Sequence, residues 1–323
     1  MEKKNKINLK IWIPVAVIVL VIIVSLATMV SSRTRVAFLN IESGSVEVDQ
    51  GKGWVAAEDG MELAMEDKVK TGEDGSAVIV LYESILVEQD PNTEVSIEQL
   101  SKDKVKLNQQ SGSTWNKFAA ISGIKSFEVE TPTTVATVRG CEFWVDMDSV
   151  GVEEGAVDAK MKGKLLKLVA GRKGVLRDGV ASEEDLTPED LQKALHKKEI
   201  IIKHLKKLRM DEMNKHSIAV GLIKTAKGYT DEDITRFINK LDNGELDENS
   251  VRQRSPLPAK SLEKFAKMTT EIKKQNADMR RLQALQSGGI KDEMPLIKDR
   301  ATADIPPDPL GKPMLEKPLL AER

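Results

Sequence analysis

Cysteine, histidine and aromatic residues are all scarce in this chain, and each scarcity closes off a class of function. Cys141 is the single cysteine among 323 residues, so no internal disulfide framework exists and the fold must rest on packing. The three histidines, His196, His204 and His216, fall in one helical stretch with no second ligand type at metal-binding spacing. They read as surface helix residues, and no metal or other cofactor is expected. Aromatic residues make up 4% of a chain otherwise balanced at 40% hydrophobic and 31% charged. A Ser-His-Asp arrangement, a paired-carboxylate motif and a phosphate-binding glycine loop are also missing, so an enzyme is not expected.

Charge is missing altogether from Ile11 to Val30. At about 1.5 Å per helical residue such a run reaches about 30 Å, the thickness of a bilayer's hydrocarbon core. Pro14 lies in the first turn, where proline is tolerated. Lys3, Lys4, Lys6 and Lys10 precede the run, whereas Arg33 and Arg35 alone follow it closely. The basic excess predicts a cytoplasmic stub (1–10), a membrane helix (11–30) and an extracytoplasmic remainder. The rival reading is a cleaved signal peptide ending near Ser25-Leu26-Ala27, although signal cores span about 7 to 15 apolar residues and this run continues through Met29-Val30. No cysteine near the run offers a lipid anchor. Both readings export the rest of the chain.

The formal net charge of −2 conceals a division. Residues 36–180 hold 16 Lys and Arg against 25 Asp and Glu, a net of −9, whereas residues 181–290 hold 21 against 18, a net of +3. An acidic module of that size repels polyanions, which argues against nucleic acid as a partner.

Short apolar stretches of period two recur from Val36 to about Val180, among them Val46-Glu47-Val48, Ala77 to Leu81, Glu94 to Ile97, Val105 to Leu107, Phe127 to Val129 and Phe143 to Val145. Turn signals separate them at Asp74-Gly75, Asp90-Pro91-Asn92 and Glu154-Gly155. This is the pattern of an all-β unit, with a roll, a sandwich or a short solenoid all open. Near Thr187 the period changes. Thr187-Pro188-Glu189-Asp190 carries an N-cap, a first-turn proline and acidic residues at the positive helix end. Thr230 with Asp233 marks a second helix start, ended by Gly244, and a third begins near Ser261. The fold class expected is α+β, segregated: an all-β domain (36–180) able to fold alone, a helical region (187–286) and a disordered Pro-rich tail (287–323).

Thr131-Pro132-Thr133-Thr134-Val135-Ala136-Thr137-Val138-Arg139-Gly140-Cys141-Glu142-Phe143 is the most specific stretch in the chain. It resembles the signature of FecR-type domains, in which a Thr-Pro-rich strand leads to Val-Arg-Gly and then Glu-Phe. Gly44 to Val48, Asp67 to Gly72, Asp74-Gly75, Asp90 to Thr93 and Gly112 to Trp115 follow that family's order, so the resemblance covers roughly residues 40–180. Two departures stand out. Cys141 replaces the usual threonine, which points to a buried position as a small core hydrophobe rather than a reactive thiol. The iron-transport regulators of the family place an anti-sigma domain before the membrane span, and ten residues cannot form one.

The motif residues Thr131, Pro132, Val138, Arg139, Gly140, Cys141, Glu142 and Phe143 are read as structural. Arg139 is expected to cross-link carboxylates including Glu142 and Asp146. The basic stretch from Lys193 to Arg209 is expected to be a bundle helix with a solvated basic face rather than a membrane-surface helix. The function this implies is binding or scaffolding at a prokaryotic cell envelope, with a protein or glycan partner. The alternative is a component of transmembrane signalling that acts through a separate cytoplasmic effector.

Overall fold

The computed structural model describes residues 36–246 and 255–286. The stub 1–10, the apolar run 11–30 and the tail 287–323 lie outside the described residues. Among the described residues no helix is long and apolar enough to cross a membrane.

The strands form two sheets. One has eight strands in the order β1 (Ala37–Ser43), β5 (Ser76–Leu81), β6 (Ile85–Gln89), β9 (Thr114–Phe118), β12 (Glu142–Val145), β13 (Ser149–Glu154), β16 (Arg172–Arg177) and β17 (Val180–Asp185). The other has nine: β15 (Lys164–Val169), β14 (Ala156–Met161), β11 (Thr134–Val138), β10 (Phe127–Glu130), β8 (Val105–Ser111), β7 (Glu94–Leu100), β4 (Lys68–Thr71), β2 (Val46–Asp49) and β3 (Trp54–Ala56). Neighbours run antiparallel except β8 and β10, which are parallel. From β5 onward the chain visits the sheets mostly in pairs of strands, which resolves the three open β architectures in favour of a two-sheet sandwich.

Alternation along the eight-stranded sheet explains its position in the molecule. On β5, Ala77, Ile79 and Leu81 point into the core shared with the other sheet, beside Val48, Val69, Ile97, Leu107, Phe127 and Ala159. Val78 and Val80 point the other way, into a second core with Leu86, Trp115 and Trp144. A strand buried on both faces needs cover on both. Helices supply it on the second face.

Four helices follow among the described residues: α1 (Pro188–Asn214), α2 (Ser217–Lys227), α3 (Asp231–Asp242) and α4 (Ala259–Gln286). Thr187 and Thr230 each form the expected reciprocal capping box, with Asp190 and Asp233. Helix α2, which no sequence signal marked, begins without a side-chain cap at His216 and ends at Gly228 in the left-handed conformation, φ 69°. Ala194, Ile201, Leu205 and Leu208 of α1 and Met268, Ile272 and Leu282 of α4 fill the second core. Strands and helices therefore separate along the sequence but share a core, and all described residues fall in one compact unit.

Candidate functional site: the charged seam between sheet and helices

Cross-strand register builds the outer face of the eight-stranded sheet from rows. Trp115 of β9 pairs with Trp144 of β12, which pairs in turn with Gly151 of β13. The two indoles stack with centroids 5.5 Å apart and planes 9° from parallel. A Cβ on Gly151 would lie 1.9 Å from Cζ2 of Trp144, so only glycine leaves room for the ring. The adjacent row is Lys117 of β9, Glu142 of β12 and Glu154 of β13. Lys117 facing Glu142 favours this register, whereas Glu142 and Glu154 face each other with like charge and need the cations around them.

Two helices close over these rows. Lys198 of α1, fully buried, places Nζ 3.2 Å from Glu142 Oε1 and 3.8 Å from Glu153 Oε1. Gln275 of α4 donates from Nε2 to Glu142 Oε2 at 2.7 Å and accepts from Lys198 at 3.3 Å. Trp115 Nε1 donates to Glu142 Oε1 at 3.0 Å. Lys117 reaches Glu154 at 2.6 Å and Glu271 of α4 at 2.7 Å, with Glu142 at 3.7 Å. Lys274 completes the cluster at 2.9 Å from Glu154.

The charge count of this cluster accounts for its protonation. Three lysines, 117, 198 and 274, face four glutamates, 142, 153, 154 and 271. Burial pushes Glu142 up, but Lys198 and Lys117 more than offset it, and its carboxyl stays below the ordinary range. Burial is also the main influence on Glu154, yet Lys117 and Lys274 bring it down to about 2. Glu153 has Lys198 as its nearest cation at the longer distance, and burial raises it to about 7. Asp278 also acts on Glu153 and Lys198, and a proton on Glu153 lowers the negative excess of the cluster. Close matching of charge is what makes low-dielectric burial of so many ionisable groups tolerable.

The seam continues along α1 in both directions. Lys197 bridges Glu88, at 2.6 Å, and Asp90. Burial raises Glu88 to about 7, and its Oε2 has no hydrogen-bond partner, so a proton on Glu88 fits the geometry. His204 lies 2.9 Å from Glu42, which also takes Lys203 at 2.7 Å. Beyond it, Glu83 at the tip of the β5–β6 hairpin accepts from Lys215 and Lys264, both at 2.7 Å, while held at a left-handed φ of 53°. Arg209 forms a fork onto Asp242 of α3 at 2.5 and 2.9 Å.

Two expectations are thereby corrected. The basic stretch from Lys193 to Arg209 is only in part a solvated face: Lys193, Lys203 and Lys207 are exposed, but Lys197, Lys198 and Arg209 are buried and paired. His204 is buried as well, and of the three histidines His196 alone is exposed. The signal was present in the spacing, because Lys198 stands between Ala194 and Ile201 on the stripe that α1 buries. Charge alone assigned it to solvent.

The signature stretch occupies the crossing from one sheet to the other. Thr131 caps the β10–β11 turn, its Oγ1 accepting from Thr134 N at 3.0 Å, and Pro132 stands exposed at the tip. Val138 ends β11 in the inter-sheet core, Arg139 and Gly140 make the crossing, and Cys141 and Phe143 return to the same core. Cys141 is fully buried and unbridged, and burial pushes its thiol well above the ordinary range. Glu142 alone of these residues turns toward the helices. Arg139 is exposed, whereas Glu142 is satisfied by Trp115, Lys117, Lys198 and Gln275, and Asp146 accepts from Ser149 Oγ at 3.0 Å. The Glu142 carboxylate is held by Lys117 and Lys198, 25 and 56 residues away. Among the described residues no cluster of three or more His, Cys, Asp or Glu is placed to hold a metal ion.

Glu142 of the signature stretch thus lies fully buried between the eight-stranded sheet and the docked helices. Residues 67–158, from the start of β4 through most of β14, match the family described as FecR protein, and the chain carries a FecR domain. Two crystal structures of a "putative anti-sigma factor" from Parabacteroides distasonis align at 16% identity, over 36% of this chain and 59% of theirs, with TM-scores of 0.34 and 0.33. The chain thus spans about three-fifths of the length of those neighbours. No curated protein matches the chain.

Proposed function

We propose that this protein is a membrane-anchored FecR-domain protein that holds a protein or glycan partner at the outer side of a prokaryotic cytoplasmic membrane, by binding and not by catalysis. The observation that carries the reading is the internal neutralisation of the seam. Glu142, Glu154 and Glu271 are matched by Lys117, Lys198 and Lys274 within the chain, so these buried charges serve to lock the helices onto the sandwich. What a partner meets is the outer surface of one body. The uncharged run Ile11–Val30 behind four lysines supplies the anchor and the orientation.

The FecR domain also supports a second reading, a signalling or regulatory component that passes a state of the exported body to a separate cytoplasmic effector. Capture of the tagged full chain from native membranes, with the co-purifying proteins identified, tests both. An envelope or surface-assembly protein as the stoichiometric partner supports scaffolding, whereas a sigma factor or another membrane-bound regulator supports relay. Protease added to sealed spheroplasts is expected to digest the chain beyond Ser31, and a fully protected C-terminus would overturn the orientation.

A further inference from the structure

Helix α2 is apolar on both of its sides. Val220 turns inward, against the small core of Leu241 and Phe265, yet no residue of the helix is fully buried. Ile218 is 71% exposed and Leu222, one turn on, 68%. Ser217, Thr225 and Ala226 are exposed beside them and carry no charge. Tyr229, just past the Gly228 cap, is 47% exposed. A solvated helix face is ordinarily polar, and large aliphatic side chains grouped on an exposed one mark a contact surface.

The place of α2 in the fold indicates what covers it. The chain enters the sandwich at Val36, whose carbonyl accepts from Tyr82 N at 2.7 Å. Glu83, the next residue of that hairpin, holds Lys215 at 2.7 Å, and Ser217 opens α2 two residues later. The chain therefore enters the sandwich and begins the exposed helix at one end of it. Strand β5 leads from that end to the Glu73-Asp74 turn at the other, about 20 Å away over its six residues. The uncharged run ends at Val30, and the six residue steps from there to Val36 reach at most about 20 Å. A tether that short keeps the end with α2 nearest to a bilayer holding the run. Charge does not select the surface, because Lys224 pairs with Asp231, and Lys227 is offset by the exposed Glu232. The occupant that takes aliphatic side chains with no charge pattern, and a tyrosine at its polar boundary, is the membrane interface.

We propose that α2 rests on the outer leaflet of the membrane that anchors the chain, with Ile218 and Leu222 inserted at the boundary of headgroups and acyl chains and Tyr229 at headgroup level. This rests on the anchor reading given above. Two aliphatic side chains hold a free protein on a bilayer only weakly, but the tether raises the effective concentration of the surface, so the contact has only to orient a body already there. Its consequence is a fixed orientation. The turns at Glu73 and Asn92, joined by the bond from Asn92 N to Gly72 O, point away from the membrane, where a partner reaches them.

An environment-sensitive fluorophore on Leu222→Cys of the full chain tests this, since Cys141 is buried and stays unlabelled. The chain is reconstituted in phosphatidylethanolamine and phosphatidylglycerol liposomes in which a fraction of the lipid carries a nitroxide at the top of its acyl chain. The nitroxide is expected to quench the label at Leu222 at least twofold more than a label on Glu73→Cys, in the exposed turn at the far end. Adding Ile218→Asp is expected to remove that excess while circular dichroism stays unchanged, and high salt is expected to leave it intact. Equal quenching at the two positions, a blue-shifted label that lipid does not quench because protein covers it, or loss of the excess in high salt would each overturn the proposal. Extraction with alkaline carbonate separates this failure from that of the anchor. A chain that stays in the membrane without quenching at Leu222 overturns the helix contact and spares the anchor, whereas a chain released by carbonate overturns the anchor and the contact with it.

Discussion

Replacing Lys198 by methionine removes one charge from the centre of the seam and leaves a side chain of similar length. Lys198 is the closest cation to Glu142, at 3.2 Å, and to Glu153, at 3.8 Å. In its absence Glu142 keeps the hydrogen bonds from Trp115 and Gln275 but has only Lys117, at 3.7 Å, for neutralisation. Glu153, raised to about 7 by burial, is only partly ionised near neutral pH and adds less to the loss. Breaking a buried pair from one side costs about 3–5 kcal/mol, and the sparing of Glu153 points to the lower end, about 3 kcal/mol. For a body of this size that corresponds to a fall in melting temperature of about 6–12 °C. The double variant Lys198→Met, Glu142→Gln should recover most of it, because a neutral pair no longer leaves a charge without its partner. The deficit of the single variant should also shrink below pH 5, where Glu142 can take up a proton. Thermal and urea melts at pH 4 and 7.5 provide the assay. A loss below about 1 kcal/mol at pH 7.5, or a deficit independent of pH, would refute the seam as a buried ionic lock.

The two raised carboxyls, Glu88 and Glu153, bind a proton in the folded state up to about pH 7 and in the unfolded state only up to about 4.5. Their contribution is fully present below 4.5 and declines as pH rises through 7, by up to about 1.4 kcal/mol per pH unit for each group. His204, lowered by burial against the opposing pull of Glu42, gives the opposite slope near its ordinary 6.5. The diagnostic is therefore the difference between wild type and the Glu88→Gln, Glu153→Gln variant, which should gain relative stability from pH 5 to 8; urea titrations giving parallel pH profiles would contradict the assignment. Gly151→Ala should drive Trp144 off its stack and cost about 1–3 kcal/mol by overpacking, read as a lower melting temperature with altered tryptophan fluorescence, and an unchanged spectrum would rule out the close approach. A fragment of residues 36–180 should aggregate or bind hydrophobic dyes, because it uncovers Val78, Val80, Leu86, Trp115 and Trp144; a soluble fragment with a cooperative melt would mean that the sandwich is complete without its helices.

Local chemistry was sufficient for the elements themselves. Alternation located strands such as Ala77–Leu81 and Phe127–Val129, since side chains on successive strand residues point to opposite faces. The caps at Thr187 and Thr230 marked helix starts because the hydroxyl and the carboxylate three residues on satisfy each other's backbone donors. The Val138 to Phe143 stretch identified the FecR domain, and Cys141 was legible as a core residue. Partnership was not legible. Glu142 meets Lys117, Lys198 and Gln275, which are 25, 56 and 133 residues away, and no periodic pattern links a carboxylate on a strand to an ammonium on a helix that far along the chain. In sequence each charge reads as solvated, because burying one alone is prohibitive; only the tertiary fold, by bringing opposite charges together at distances near 3 Å, makes their burial tolerable. The same long-range packing decided that the helices share a core with the sandwich while α2 stands uncovered, a distinction absent from hydrophobicity along the chain.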